Sequence, residues 1–480
     1  MNSVKTKRIL KTINLTILSV FLIFSITLVI SCKNSPQTAD ITGSTDSNTS
    51  QTVTGPESSE AVKDNNSSNA EAASQDAIMK DFDELLISQA RSYQVVSFID
   101  QNIYKMSPRN ADIVLEKLEY IQKNDKQFYT DLLLEDDWQS KLNDIFNNDI
   151  EIKDIQEITN EQLKKITEEI FRGGFKLIAL EGSFYPFIDY EFLKKYSDYL
   201  SQQFRDYLNI MAVESNKIFS RDAALAISWD ELAFRLINCE GFLISYPEDN
   251  VRKKEVGDLY MKYLVSYFLG QNNTPSFSYE NNAISPDVLD SYDKLVSQYP
   301  DNITTDLTKK YQSILEGDTN IVNDSVYKEL DEIYKEAVRA FGLDTQALLL
   351  ESAKNTYYQT PLTENGYAIL LNGKYNENDV TVRLSDFTSF EDFDGDGIND
   401  AAVILLAEKP DSTITYSLAL NINKYFYFKN IPDVIIGNSS ELEILSLEIK
   451  ENKIFLTSLL NQTEKSTVFG VKDDQLFEYQ

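Results

Sequence analysis

The sequence predicts an α+β protein with two folded parts, a mainly helical body followed by a small β-rich domain. Three observations carry this. Apolar residues recur at helical spacing from about Asp76 to residue 360, and the period then changes to two. At 480 residues the chain is too long for one ordinary domain, and its 42% hydrophobic and 25% charged residues are those of a globular protein. The expected division is an export signal over residues 1–31, a disordered stalk over 32–75, a helical domain over 76–360 and a β-rich domain over 361–480.

The N-terminus opens with Lys5, Lys7, Arg8 and Lys11, followed by an apolar run from Leu15 to Ile30. Charge, length and order are those of a secretory signal. The run ends in Val29-Ile30-Ser31-Cys32, which resembles the bacterial lipobox. That resemblance implies a diacylated Cys32 as the mature N-terminus and attachment to the extracytoplasmic face of a membrane. At about 0.8 kcal/mol per buried CH₂, two acyl chains anchor stably without a spanning helix. A plain transmembrane anchor is the competing reading, since the apolar run nearly spans a bilayer.

Behind Cys32, Ser, Thr, Asn, Asp and Ala dominate without apolar periodicity, as in a linker. A flexible coil of that length reaches roughly 35 Å root-mean-square and roughly 140 Å when fully extended.

In the body, Phe82, Leu85, Leu86, Ala90, Tyr93 and Phe98 fall near one helical face. Further helical runs are expected at Ala111–Lys123, Thr159–Phe171, Tyr190–Met211, Arg221–Tyr246 and Asn323–Lys354. Two segments, one from Phe242 and one from Lys294, share an order of apolar helix, Tyr-Pro, acidic residue, Asn and second helix. Pro247 and Pro300 should end the first helix of each pair, and the acidic residue or Asn should cap the second. These units are similar to those of tetratricopeptide-like α-solenoids, which implies a stacked row of helix pairs. Their separation departs from that family's 34-residue period, however.

Seven aromatic residues crowd between Phe184 and Tyr199. Their spacing suits a helix packed in the core, and the alternative is an aromatic groove for sugars or peptides. Glu181, Asp189 and Glu191 are the nearest candidates for the paired carboxylates of a cell-wall glycan hydrolase, which must lie about 5–10 Å apart.

After residue 360, eight segments read as strands: VTVRL, AAVILLAE, ITYSLALNI, DVIIG, LEILSLEIK, KIFLTSLL, TVFGV and QLFEY. Ahead of AAVILLAE stands Asp392-Phe393-Asp394-Gly395-Asp396-Gly397-Ile398-Asn399-Asp400. Acidic residues at loop positions 1, 3, 5 and 9, Gly397 at the sharp turn and a backbone carbonyl from Ile398 form the pattern of a calcium loop. It resembles the DxDGDGxxD loops of FG-GAP-type β modules. Carried over, the resemblance gives Asp392, Asp394, Asp396, Ile398 and Asp400 as metal ligands and calcium as the cofactor. Val403 stands where an EF-hand has its bidentate Glu, so Asp400 must close the shell and affinity should be modest. An acidic β-turn is the competing reading.

The formal charge of −31 argues against nucleic acid, because a polyanion gains nothing from counterion release at phosphates. Without a single histidine, Ser-His-Asp, Cys-His and HExxH chemistry are excluded. With Cys32 acylated, Cys239 has no disulfide partner and reads as a buried, inert thiol. The expected function is therefore that of a membrane-anchored extracytoplasmic lipoprotein, a binding or structural module rather than an enzyme. It would contact the membrane through its lipid and meet a protein or cell-wall partner. The alternatives are a carboxylate-dependent cell-wall glycan hydrolase and the solute-binding lipoprotein of a transporter, whose two lobes would need alternating strands and helices.

Overall fold

The computed structural model describes residues 65–146 and 149–479, with side chains from residue 75 onward. The signal segment, Cys32 and the stalk as far as residue 64 lie outside the described residues. Among the described residues the order is helices first and antiparallel sheets last, the α+β class that the sequence predicts. The lobes of a solute receptor would need parallel sheets built from alternating strands and helices, whereas the strand pairs among the described residues are antiparallel.

Helix α1, Asn65–Ile87, starts inside the segment read as stalk. The Ala and Glu residues there favour a helix but carry too little apolar character to show a period. Gln75 fastens α1 to the rest of the body. Its amide Nε2 donates to the Lys105 carbonyl, and its Oε1 accepts from the Ser107 N–H and from Asn110 Nδ2.

Next come α2 (Ser92–Asn102) and α3 (Pro108–Leu134), the latter capped by Ser107 with Pro108 in its first turn. Helices α4 (Trp138–Ile145) and α5 (Glu161–Arg172) follow. With the antiparallel sheet β1 (Glu151–Ile152), β2 (Phe175–Leu180) and β3 (Ser183–Ile188), they enclose a small core around Tyr129, Trp138, Ile170 and Phe184. The aromatic-rich segment is therefore not one helix. Phe184, Tyr185 and Phe187 lie on β3, while Tyr190 and Phe192 lie in the short α6 (Tyr190–Leu193) and Tyr196 and Tyr199 in the 3₁₀ turn behind it. Phe184, Tyr190 and Tyr196 are buried and Tyr199 is exposed, so the segment serves chiefly as core.

The run expected at Tyr190–Met211 breaks at Leu200, because Ser201 caps a new helix, α7 (Gln202–Asn216). Helix α8 spans Trp229–Ser245, and the first residues of the run expected from Arg221 form instead a hairpin of β4 (Ser220–Arg221) and β5 (Ala224–Leu225). Asp222 and Ala223 turn this hairpin with positive φ. Then come α9 (Val251–Leu269), a second hairpin of β6 (Gly270–Gln271) and β7 (Thr274–Pro275), α10 (Pro286–Gln298), α11 (Ile303–Gly317) and α12 (Asp324–Phe341). The hairpin tips meet, the Asn273 N–H donating to the Ala223 carbonyl at 2.8 Å.

Both helix pairs expected around Pro247 and Pro300 are present, but they do not stack in a row. Helix α9 runs through the middle of the main core and buries side chains on every face, from Val256 to Phe268. It touches α7, α8 and α12, whereas a solenoid helix meets only its neighbours. The body is a bundle around α9, and the solenoid expectation is corrected accordingly.

The two pairs also differ in their caps. Asn250 accepts from the Lys253 N–H at 3.0 Å, as expected. Asn302 makes no such cap, and the N-terminus of α11 is held instead by Glu240 of α8.

The last helix, α13 (Gln346–Lys354), packs Leu349 and Ala353 into the β-rich part, together with Tyr358 of β8 (Tyr357–Gln359) and Ala368 of β9 (Tyr367–Ile369). The expected boundary at 360 thus cuts behind a helix that belongs to the sheets. One sheet orders β10 (Lys374–Glu377), β11 (Val380–Ser389), β12 (Ala401–Glu408), β13 (Ile414–Asn423) and β14 (Phe428–Asn438) side by side. The other orders β15 (Leu442–Lys450), β16 (Lys453–Leu460), β17 (Thr463–Lys472) and β18 (Gln475–Glu478). Strand β12 is covered on both faces. Ala402 and Ile404 face the second sheet's Leu447 and Leu456, while Val403 and Leu405 face α13. That is why its sequence is continuously apolar instead of alternating.

Candidate metal centre

The aspartate loop joins β11 to β12, and its shape follows from its own carboxylates. Asp392 Oδ1 accepts from the Gly395 N–H at 2.7 Å and the Asp396 N–H at 3.1 Å, and its Oδ2 accepts from the Gly397 N–H at 2.8 Å. Asp394 Oδ1 accepts from the Asp396 N–H, and Asp396 Oδ1 from the Ile398 N–H. These short Asp-to-backbone bonds wind the chain tightly enough to require left-handed residues at Gly395 and Gly397, with φ of 79° and 87°.

Asp400 anchors the far end. It is 1% exposed, its Oδ2 accepts from the Phe393 N–H at 2.8 Å, and its Oδ1 accepts from the Asn423 N–H at 2.8 Å. Burial pushes its carboxyl up to about 7. The backbone donors at Asn423 and Phe393 oppose the rise, and the charges of Asp394 and Asp396 add to it.

Carboxylate oxygens of Asp392, Asp394 and Asp400 all lie within 4.8 Å of one another. Calcium–oxygen bonds of about 2.3–2.6 Å put ligands on opposite sides of one ion about 5 Å apart, so this triad fits a single ion. Asp392 Oδ2 and Asp400 Oδ1 each accept a single N–H and keep a second lone pair for a metal.

Asp396 is not part of the triad. Its Oδ1 is taken by the loop and its Oδ2 lies 3.7 Å from Lys424 Nζ. Lys424 also reaches Asp394 Oδ2 at 3.2 Å, so an ammonium already offsets part of the loop's charge. Val403 is buried within β12 and offers no ligand.

The loop also forms the joint between body and sheets, which sequence reasoning missed. The Ile398 side chain, fully buried, belongs to the helical body's core. Asn399 donates from its N–H to Asp344 Oδ2 at 3.4 Å and from its Nδ2 to the Asp344 carbonyl at 3.2 Å. Beside it the Tyr425 hydroxyl donates to Asp331, and the ring of Tyr425 sits 5.5 Å from that of Tyr334. A Cβ on Gly397 would come within 3.4 Å of Arg339 Nη1. The one sequence signal for this joint is Ile398, since the loop's other apolar residue, Phe393, packs in the core of the sheets.

Of the other candidate residues, Glu181 stands apart from Asp189 and Glu191. Glu181 sits exposed at the tip of the β2–β3 hairpin. Asp189 lies at the far end of β3, six strand residues or roughly 20 Å away, so the two cannot form a carboxylate pair. Asp189 caps α6, and Glu191 pairs with Lys194 and accepts from Asn216. Cys239 is fully buried, and burial drives its thiol well above the usual range, which keeps it protonated.

No described helix is long and apolar enough to cross a membrane. No family model, curated protein or solved structure matches the chain.

Proposed function

We propose that the chain is a lipoprotein held on the extracytoplasmic face of a membrane through Cys32, and that its body and β module act there as a binding or structural unit. The observation that carries the structural part is the convergence of Asp392, Asp394 and Asp400 at the joint between the two parts. A calcium ion held by these three carboxylates, with Asp396 beside them, would neutralise charges that otherwise repel, and it would stiffen the connection to the body. The N-terminal pattern and the acidic charge support the address and argue for a protein or cell-wall partner over nucleic acid.

The calcium test is thermal unfolding of the full chain. With Kd of about 10⁻⁴ M, about 2 mM calcium stabilises by roughly 1.8 kcal/mol relative to chelator. Asp392→Asn should remove the difference. Identical midpoints in calcium and chelator, with no calorimetric heat, would leave the loop as a turn. The address is tested by fractionation, where Cys32→Ala should release or mis-process the protein. A Cys32→Ala chain that stays with membranes at full precursor mass, as wild type does, would refute the lipid anchor.

A further inference from the structure

Strands β15 to β18 turn Leu447, Ile454, Phe469 and Leu476 into the core between the sheets, so the alternate residues form the outer face of the second sheet. The middle of that face is apolar. Phe455 stands opposite Val468, and Tyr479 closes over Gly470, where an added Cβ would meet its ring at 2.8 Å. Leu445 and Tyr479 are 43% and 44% exposed.

Charge on this face is sorted along the strands. At one end Lys450 and Lys453 are register partners, with Lys472 beyond them on β17. At the other end Glu443 and Glu464 flank Leu459, which is in register with both. Glu448 lies between the ends, opposite Phe455, and the carboxylates of Glu451 and Asp473 lie beyond the basic end, in the turns. Like charges directly opposite each other destabilise a sheet unless something offsets them. Among the described residues, Lys450, Glu443 and Glu464 make no ion pair, since those of this sheet join Lys465 to Glu478 and Asp474 to Lys429.

A two-fold axis lying in the face, across the strands between the Phe455 and Thr457 rows, makes the pattern complementary to itself. It sets Lys450 of one copy over Glu443 of the other, Lys453 beside Glu464, and Phe455 over Thr457. Each of these pairs then occurs twice. Four strands about 4.8 Å apart and about eight residues long, at about 3.4 Å per residue, give a face of about 500 Å². Two such faces bury about 1,000 Å², near the lower limit for a specific interface, so the dimer they form is weak and reversible.

We propose that this face joins two copies of the chain, sheet against sheet with their strands antiparallel. The sorting of charge selects the occupant, because a second copy offers glutamates where the first has lysines and lysines where it has glutamates. The pairing goes beyond the binding-module reading and involves neither the lipid nor the metal loop.

The test is sedimentation velocity on the full chain from about 1 to 300 µM, which should show a monomer–dimer equilibrium with Kd of about 10–100 µM. Lys450→Glu and Glu443→Lys should each weaken it about tenfold, and a chain carrying both exchanges should regain wild-type affinity. The two positions lie roughly 20 Å apart along β15, well beyond the Debye length of about 8 Å, so that recovery cannot come from a contact within one chain. Phe455→Thr keeps a strand-forming residue, and it should weaken the dimer about tenfold or more with the fold intact by circular dichroism. The apolar run near the N-terminus is common to every variant, so differences among them belong to the face.

A monomer throughout the concentration range would overturn the proposal. So would a dimer that Phe455→Thr leaves unchanged, or a double exchange that stays as weak as the single ones. Retention of a monomeric chain on insoluble cell-wall glycan, lost in Phe455→Thr, would assign the face to a polysaccharide and not to a second copy. The Cys32 and calcium measurements are untouched by these variants, so failure here is separable from failure of the anchored-module reading.

Discussion

Glu240→Ala tests whether one buried carboxylate holds two helix pairs together. Glu240 is 1% exposed and lies on α8, yet it caps α11. Its Oε1 accepts from the Ile303 N–H at 2.7 Å and Asn302 Nδ2 at 3.1 Å, and its Oε2 accepts from the Thr304 N–H at 2.9 Å and the Thr304 hydroxyl at 2.6 Å. In the alanine variant the half-exposed Asn302 amide can turn to water, and the Thr304 hydroxyl retains the Tyr260 hydroxyl at 3.0 Å. The Ile303 and Thr304 backbone donors have nothing. Two orphaned amides at about 1–3 kcal/mol each, less the relief of no longer burying a charge, give a net loss of about 3 kcal/mol. In a chain of this size, at about 2.1 cal/mol/K per residue, that lowers the midpoint by roughly 3–4 °C. Scanning calorimetry and urea unfolding of the full chain are the assays, with Asn302→Ala as the control expected to cost under about 0.5 kcal/mol. A Glu240→Ala midpoint within about 1 °C of wild type would refute the account, as would an Asn302→Ala loss of equal size.

Two further predictions concern the body. The Tyr207 hydroxyl has one proton and two carboxylate neighbours, Glu119 and Glu255. Burial raises Glu119 to about 7, helped by the charge of Glu255. Burial also opposes ionisation of Glu255, but Lys123 prevails and holds it low. Because the folded Glu119 keeps its proton where the unfolded chain has lost it, its contribution to stability is present at low pH and falls as pH rises from about 4.5 to 7, by on the order of 3 kcal/mol. Glu119→Gln should abolish that fall, so its unfolding midpoint gains on wild type between about pH 5 and 8, and parallel pH curves would refute the assignment. Gly270→Ala should cost about 3 kcal/mol or more in urea unfolding, because φ is +76° and the added Cβ would fall on the Thr274 carbonyl and the Ser276 amide of its own hairpin. A loss under about 1 kcal/mol would show that this hairpin is free to shift.

What could be read from the sequence was local. All eight expected strands are present, and AAVILLAE, LEILSLEIK and KIFLTSLL coincide with β12, β15 and β16 residue for residue. The aspartate loop was equally legible, because the hydrogen bonds within it span only two to seven residues. What escaped was set at a distance. The hairpin at Ser220–Leu225 has strands of two residues, too short for any period to register. The cap of α11 comes from Glu240, more than sixty positions away in the chain, and nothing near Asn302 announces it. Ile398 read as a backbone ligand, while its side chain has its partners in the helical core.

That side chain also decides where the molecule can be cut. Ile398 is carried on a loop between two strands but packed among helices, and Leu349 and Ala353 are carried on a helix but packed among strands. Severing the polypeptide at the apparent border near 360 would leave one fragment with an isoleucine-sized hole and the other with that isoleucine bare in water. The two halves interlock like the fingers of a dovetail, so neither is a cassette that could be lifted out, swapped or expressed alone without first redesigning the face it lost.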